Sequence, residues 1–480
     1  MNDVNEGSTE EPLAALLPGL RHQDWFAPLA LLLLCLGTLI LLDRPLIRGD
    51  GVAYLAWVDS IALDHDVDLA NQYQRLAGVN SYQISWNEAR QSYTNIFPFG
   101  VAFFQYPFYR LGNWFVGNGW WNAHPDYFVA MQGVEQGYSL WLMIGANLMA
   151  LVAVFLTWRM AIPLCGRGLA VLAAWGVFVA SPIVYYSSVM PLNSHIPGAF
   201  LMAVFLYLAL WLTRPFEEVE APTLDRSTAI IWLATGMSVG GLLLARWQLV
   251  LAVLPFAVLW LRERRWRGIV IAGAGALLTS WPLFVVWYGM FGSALVIPYD
   301  AAGGSDFLRF PRHSWDVFRS TFGDTPILLL SLVGLWRLAR WKPWWAGAAG
   351  SAIILQILIN GSVLDWWAGE TYGMRRMSEL YPLYAILAAA AIGQTKQPRL
   401  EGYGRRLTNV MRALFILFIG YNGLYMAAFF DYTWTNQAQM FTNSPDILLA
   451  HFFNQPHRWQ VLKEVWEAHL GPWAWAMPGP

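Results

Sequence analysis

The sequence has few charged residues and almost no cysteine. Asp, Glu, Lys and Arg make up 13% of the 480 residues, whereas soluble domains carry about 25%. The net charge of −1 gives no basic field of the kind that attracts nucleic acid. Cys35 and Cys165 lie in or beside apolar runs, which argues against a disulfide framework and a cysteine-based metal site.

Several catalytic motifs are missing as well. There is no G-x-S-x-G, P-loop or H-E-x-x-H sequence, so no motif supports a classical serine hydrolase, NTPase or zincin. What the chain does contain is hydrophobic: 57% of its residues are apolar or aromatic, and 28 are Trp. Trp is enriched where membranes meet water. The composition therefore indicates a polytopic membrane protein.

Apolar runs predict about eleven transmembrane helices and an all-α polytopic fold. A helix needs roughly 20 apolar residues to cross a bilayer. The stretch 227–261 is too long for one span and is interrupted only by Arg246, so we predict two spans joined by a tight turn at Arg246-Trp247. The predicted spans are 25–42, 138–157, 169–187, 196–212, 227–245, 247–261, 268–289, 325–336, 343–360, 377–394 and 410–430.

The loops between these spans predict the orientation of the chain. Short loops rich in Arg and Lys alternate with longer, more acidic loops. The basic loops should face the cytoplasm, which places the N-terminus inside and the C-terminus outside. The predicted parts are a cytoplasmic tail at 1–24, a transmembrane domain at 25–430 with outer loops 43–137, 290–324 and 361–378, and an outer C-terminal segment at 431–480.

Part of the first outer loop is apolar without being a convincing span. Residues 95–116 are broken by Pro98, Pro107 and Arg110. Counting them as a span would invert the charge pattern of every later loop. We therefore predict interfacial helices in this large first extracytoplasmic loop, with aromatic side chains on the membrane side.

The first outer loop opens on a carboxylate between two glycines, Gly49-Asp50-Gly51, directly beyond the first predicted span. Glycine permits a sharp backbone bend, which would aim Asp50 into a cavity at the membrane surface. A general base for a lipid-borne substrate would lie there. Alternatively, Asp50 caps a helix that begins near Val52 and lies along the membrane surface.

Further carboxylates follow in the same loop. Asp64, Asp66 and Asp68 alternate with other residues as in a metal-binding loop, but the distal Glu of a calcium loop is missing. A solvated acidic turn is one interpretation. A divalent cation that bridges Asp50 with Asp64, Asp66, Asp68 or Glu88 is another, so metal dependence stays open.

Three arginines fall in outer positions: Arg246, Arg375 and Arg376. Arginine at membrane depth is costly and marks a function or a partner. Its planar guanidinium binds phosphate through two parallel hydrogen bonds, so converging arginines would hold an anionic lipid head group. The alternative is that they pair with carboxylates, namely Asp365, Glu370 and Glu379, or extend to lipid head groups. No carboxylate lies near Arg246 in the sequence.

Two histidines complete the candidates. Ser194 is a typical helix cap with Pro197 in the first turn, which makes His195 either a neighbour of the cap or a substrate-binding residue. Arg312 and His313 belong to a basic, aromatic loop that would grip a sugar or a phosphate, or stay solvated.

Together these features resemble the glycosyltransferase C superfamily, and within it the polytopic, polyprenyl-phosphate-sugar-dependent ArnT and protein mannosyltransferase-like group. The resemblance covers roughly residues 43–430. The matching pieces are Gly49-Asp50-Gly51-x-x-Tyr54, Asp66-Val67-Asp68-Leu69-x-Asn71-Gln72-Tyr73, Pro98-x-Gly100 and Trp366-Trp367-Ala368-Gly369-x-x-Tyr372-Gly373-x-Arg375.

The resemblance implies transfer of a sugar from a polyprenyl-phosphate carrier to a lipid, glycan or protein acceptor. The setting implied is a bacterial inner membrane, with the active site facing the periplasm or the cell exterior. Asp50 would be the general base of an inverting reaction. The donor phosphate would bind Arg246, Arg375 and Arg376. Substrate-binding candidates are Tyr54, Asp66, Asp68, Glu88, His195, Arg312, His313, Trp367, Glu370 and Tyr372.

Two other functions compete with this prediction. A transporter or flippase for polyprenyl-linked glycans would need charged residues at mid-span, and the predicted spans are nearly bare of charge. A polysaccharide polymerase or ligase would also bind a polyprenyl carrier through arginines, but its main catalytic loop should fall late in the chain. The acidic first outer loop favours the transferase.

Overall fold

The computed structural model describes residues 25–43, 47, 49–76, 84–118, 136–217, 219–301, 309–367, 372–393 and 401–435. These residues are almost entirely helical. A short antiparallel hairpin interrupts the helices, with β1 (Ile84–Asn87) paired to β2 (Ser92–Asn95) and Ile84 opposite Asn95. The predicted all-α architecture is confirmed.

The helices are introduced here in chain order. The first half of the chain contains α1 Phe26–Leu42, α2 Asp50–Asp59, α3 Ala70–Leu76, α4 Gly100–Gly117, α5 Gln136–Cys165, α6 Arg167–Val179, α7 Ile183–Ser188 and α8 His195–Thr213. The second half contains α9 Arg226–Arg246, α10 Val250–Arg262, α11 Trp266–Phe291, α12 Pro298–Ala301, α13 Ser314–Arg319, α14 Leu329–Trp341, α15 Pro343–Gly361, α16 Tyr381–Ile392 and α17 Glu401–Thr435.

Each of the eleven predicted spans overlaps a helix of the structure. Within the described residues, six helical stretches are long and apolar enough to cross a membrane: Leu140–Cys165, His195–Thr213, Arg226–Arg262, Trp266–Phe291, Pro343–Gly361 and Arg406–Phe429. The pair Ser314–Asp324 and Pro326–Trp341, bent by 100°, makes a seventh if it is one span. Helices α1 and α6 are apolar but shorter.

The stretch Arg226–Arg262 folds back on itself, as the sequence predicts. The ring centroids of Trp232 on α9 and Trp260 on α10 lie 4.8 Å apart, whereas a straight helix would separate them by roughly 40 Å. The reversal follows Arg246, whose backbone leaves the helical region with φ −163° and ψ 88°. The hairpin therefore presents Arg246 and Trp247 at its tip.

Helices α9 and α11 are in backbone contact. A Cβ atom added to Gly236 would overlap the carbonyl oxygen of Ala272, and one at Gly240 would lie 2.5 Å from that of Ala276. The two contacts advance in the same direction along both helices, so α9 and α11 run parallel. Small residues are what allow helices to approach so closely within a membrane.

Helix α2 is buried on every side. Residues from Gly51 to Asp59 are all buried. The apolar residues among them form a hydrophobic core with Phe97 and Phe99, separate from the larger core of the helical bundle. This segment is therefore an internal helix. The sequence-based prediction that it lies along the membrane surface is wrong. Helix α4, further along the chain, does expose apolar side chains, Phe103 and Trp114 among them. Its position at the membrane interface stays a prediction.

Candidate active site

One pocket brings together the start of α2, the α9–α10 turn, α12, the end of α15 and the residues just before α16. It encloses about 630 Å³, including the part open to solvent. Its lining contains five of the residues singled out in the sequence: Asp50, Tyr54, Arg246, Arg375 and Arg376. These residues come from segments far apart in the chain, so the fold assembles the site.

The backbone of Gly49 directs Asp50 into this pocket. Gly49 has φ +56° and ψ −128°, a conformation essentially restricted to glycine, and helix α2 begins at Asp50 itself. The Oδ2 atom of Asp50 lies 2.7 Å from Nη1 of Arg375. Asp50 begins helix α2, and its carboxylate also pairs with a side chain across the pocket. Its role therefore goes beyond the start of the helix.

The segment before α16 supplies two of the three pocket arginines. Gly373 has φ +59°, and a Cβ atom there would lie 2.6 Å from Pro182. A glycine is therefore required where the chain turns into the 3-10 helix Arg375–Leu380. Burial by itself would lower the pKa of Arg375, but the negative charge of Asp50 raises it above its usual range.

Arg376 and Arg246 are each paired with a carboxylate as well. Nη2 of Arg376 lies 2.7 Å from Oδ2 of Asp365, and Nη1 of Arg376 is buried with no hydrogen-bond partner in the part of the chain that the structure describes. Nη1 of Arg246 lies 2.8 Å from Oε1 of Glu379. The sequence-based alternative of ion pairing thus occurs at all three arginines, together with their convergence on one pocket.

Aromatic rings form another wall of the pocket. The rings of Tyr54 and Phe97 stack with centroids 4.8 Å apart, and Tyr299 meets Phe97 edge-on at 6.2 Å. Burial is the main cause that raises the pKa of Tyr54 and of Tyr299 above the usual range. Both hydroxyls therefore stay protonated at neutral pH and remain hydrogen-bond donors.

Sequence reasoning missed several residues of this site. Tyr299, Gln248 and Asn360 line the pocket, and Glu379 lies directly behind Arg246. Glu379 was considered only as a partner for the arginines close to it in sequence. The sequence signal for Gln248 and Asn360 is their position at the outer ends of predicted spans, and for Tyr299 its position in an outer loop. Many other residues share these positions.

The predicted acidic candidates lie outside the pocket lining. Asp66 accepts hydrogen bonds from the Ser60 hydroxyl at 2.8 Å and from the Asp68 backbone, and Asp68 accepts one from the Ala70 backbone at 3.1 Å. Glu88 is exposed and accepts a bond from Gln91. These contacts are those of a solvated acidic turn. No group of three or more His, Cys, Asp and Glu side chains suited to a metal ion occurs among the described residues.

The remaining candidates are spread over the molecule. His195 is buried behind Arg246, with its Nδ1 atom 3.0 Å from Nη1 of that arginine. His313 bonds to Arg312 and Asp316 near the surface, and Trp367 is partly exposed. Tyr372 is fully buried and donates to Asn422 at 2.7 Å, which is a packing role. Glu370 lies outside the described residues.

The pocket therefore combines one carboxylate with three guanidinium groups. The arginines are matched in charge by Asp50, Asp365 and Glu379. Such a site has the groups needed to bind a phosphate and to accept a proton beside it. The rings of Tyr54, Phe97 and Tyr299 add an apolar wall with polar tips.

Comparison with known proteins identifies the fold. The sequence matches no protein-family model and no curated protein. The structure is similar to the archaeal oligosaccharyltransferase AglB from Archaeoglobus fulgidus, in complex with an inhibitory peptide and a dolichol-phosphate. The TM-score is 0.51 at 11% identity, over 88% of this chain and 61% of that one.

Two further structures are similar. An Archaeoglobus fulgidus oligosaccharyltransferase in complex with Zn and sulfate has a TM-score of 0.50 at 11% identity, over 87% of this chain and 58% of that one. ArnT from Cupriavidus metallidurans bound to undecaprenyl phosphate has a TM-score of 0.49 at 12% identity, over 94% of this chain and 77% of that one. The chain thus spans about three fifths of the length of the oligosaccharyltransferases and shares their helical fold.

Proposed function

We propose that this chain is a membrane glycosyltransferase that moves a sugar from a polyprenyl-phosphate carrier to a hydroxyl-bearing acceptor. The observation that carries the proposal is the pocket itself, where Asp50 and three arginines meet. The fold is shared with an oligosaccharyltransferase whose structure contains dolichol-phosphate. We place the site on the outer face of the membrane and the chain in a bacterial inner membrane.

In the proposed reaction, Asp50 accepts the proton of the acceptor hydroxyl as its oxygen attacks the anomeric carbon. A new glycosidic bond forms, and the bond between the anomeric carbon and the phosphate oxygen breaks. The polyprenyl phosphate departs with that electron pair, and the anomeric configuration inverts. Arg246, Arg375 and Arg376 stabilise the charge that develops on the phosphate, as preorganised cations do in a site sheltered from water.

The ion pair between Asp50 and Arg375 fits this scheme. The two side chains lie 2.7 Å apart, so a donor phosphate would compete with Asp50 for the guanidinium. A phosphate that takes Arg375 leaves the carboxylate with less positive charge beside it and makes it a better proton acceptor. The donor would in this way prepare the base for the acceptor.

The test compares full-length wild type with Asp50→Asn in detergent, using a panel of polyprenyl-phosphate sugars. We expect wild type to consume one donor and Asp50→Asn to lose about 10²- to 10⁴-fold in kcat, the range for a general base. The donor KM should stay equal or fall, because Arg375 loses its competing anion. The matched control is Asp66→Asn, which changes the same group in a surface turn and should keep wild-type turnover.

Three outcomes would contradict the proposal. Full turnover in folded Asp50→Asn would remove Asp50 as the base. An equal loss in Asp66→Asn would locate the chemistry in the acidic turn instead. Movement of a lipid-linked glycan across proteoliposomes, without consumption of any donor, would favour the transporter.

A further inference from the structure

Glu379 is a fully buried carboxylate that lies behind the pocket rather than in its lining. It stands on the same 3-10 helix as Arg375 and Arg376. Its Oε1 atom is 2.8 Å from Nη1 of Arg246 and 2.6 Å from Nδ1 of His195. Glu379 therefore joins this segment to α8 and α9.

The two short contacts define the proton positions. A carboxylate oxygen accepts hydrogen bonds and does not approach another acceptor to 2.6 Å, so we assign a proton to Nδ1 of His195. His195 and Arg246 then both donate to the same oxygen of Glu379. The ring of His195 is held in turn by Tyr186, with centroids 4.5 Å apart.

These contacts hold Arg246 by one end of its guanidinium. Among the described residues, its hydrogen bonds to Glu379 and Ser194 both leave from Nη1, and the ring of His195 also packs against that nitrogen. A guanidinium is planar, so anchoring Nη1 restricts the orientation of the whole group. Arg246 meanwhile lines the pocket. Its Nε atom is buried, whereas Nη2 has no hydrogen-bond partner among the described residues and remains for a ligand.

The position of Glu379 is itself tightly constrained. A Cβ atom added to Gly198 on α8 would lie 2.9 Å from Cγ of Glu379, so the helix backbone packs against its side chain. Replacing a buried ion pair with apolar residues is often neutral or stabilising. Stability alone therefore does not account for a buried carboxylate at this place.

We propose that Glu379 is a positioning residue, which fixes Arg246 in the orientation that binds the phosphate of the lipid carrier, with His195 as the second donor to its carboxylate. This inference rests on the proposed function and deepens it. It predicts that Glu379 acts on the ligand only through Arg246.

The experiment is a double-mutant cycle on the full-length protein in detergent, with farnesyl phosphate as the probe and Kd as the readout. We expect Glu379→Gln and Arg246→Gln each to raise Kd about 10- to 100-fold, as when an outer partner of a binding residue is removed. The double variant should bind no more weakly than Arg246→Gln alone. Glu263→Gln, which removes the partner of Arg265 at 2.9 Å in a more exposed pair, should keep the wild-type Kd.

Additive losses in the double variant, or a wild-type Kd for folded Glu379→Gln, would overturn the inference. If Glu379→Gln does not fold, Glu379→Asp takes its place in the same cycle, because it keeps the charge and shortens the side chain. Sugar transfer separates the two proposals. A wild type that binds farnesyl phosphate and follows the cycle, yet transfers no sugar, would keep the role of Glu379 and remove the proposed function.

Discussion

At the scale of single residues, backbone conformation decides where the carboxylate of Asp50 points. Gly49 adopts a positive φ immediately before α2, and no atom of the described residues, its two chain neighbours aside, lies within 4 Å of where its Cβ would be. Its requirement for glycine is therefore conformational and not steric. This allows a substitution that disturbs the direction of Asp50 without crowding the pocket.

We expect Gly49→Ala to cost about 1–3 kcal/mol of stability, the usual strain of a non-glycine residue in such a conformation. If the chain relaxes, Asp50 turns away from the pocket and kcat falls, while the donor KM changes less because the arginines are on other segments. Thermal unfolding and steady-state kinetics measure both effects. The control is Gly37→Ala, in the middle of α1, where the added methyl group meets open space. It should not reduce kcat. Equal losses of kcat in both variants would contradict the argument.

Another buried carboxylate provides a pH-dependent prediction. Asp43 directly follows α1, where it accepts a hydrogen bond from Asn147 at 2.8 Å, and its Oδ1 atom is buried with no hydrogen-bond partner among the described residues. Burial raises the pKa of Asp43 to about 7, and the hydrogen bond from Asn147 only partly opposes this shift. The folded state therefore favours the protonated form.

The direction of the pH dependence follows from the linkage between protonation and folding. A pKa raised on folding contributes stability that is fully present below the unfolded value near 4 and is lost as pH rises towards 7. We expect Tm in detergent to fall over this interval, with a loss on the order of 2–4 kcal/mol. Asp43→Asn should flatten the curve, whereas Asp66→Asn should leave its shape unchanged. An unchanged slope in Asp43→Asn would refute the assignment.

At the scale of elements, the sequence predicts the helices well because apolar runs and basic loops reflect the bilayer directly. The turn at Arg246 was predictable, since one helix could not accommodate the whole run of residues 227–261. The 100° bend before α14 was not, because local hydropathy carries no information about direction. In the sequence Glu379 lies beside Arg375 and Arg376, which suggests them as its partners. Its pairing with Arg246 depends on how distant helices pack.

The contact between α9 and α11 gives a prediction about helix packing. A Cβ atom at Gly236 would overlap the backbone of Ala272, so Gly236→Ala must push the helices apart. We expect a loss of about 1–3 kcal/mol, the usual cost of overpacking, measured as a lower Tm. Gly273→Ala, which has open space on α11, should be neutral or slightly stabilising, because Ala favours the helix. A similar loss in Gly273→Ala, or no loss in Gly236→Ala, would contradict the packing argument.

At the scale of the whole molecule, the candidate site is built from residues that span most of the described chain. Asp50 follows the first helix, Arg246 ends α9, and Arg375 and Arg376 precede α16. Individually, each of these residues lies at the end of a helix or in a short 3-10 helix between longer helices. Their convergence depends on the helical framework, which is the part of the molecule shared with the oligosaccharyltransferases.

The hydrogen bond between Tyr372 and Asn422 has a consequence for biosynthesis. Tyr372 leads into the segment that carries Arg375, Arg376 and Glu379, and its hydroxyl is held by Asn422 on α17, whose amide also donates to the Val179 carbonyl. A nascent chain therefore makes Asp50 and the three pocket arginines before it makes α17, which holds their segment through Asn422. We expect the pocket to take its final form only late in translation, after residue 422 has left the ribosome.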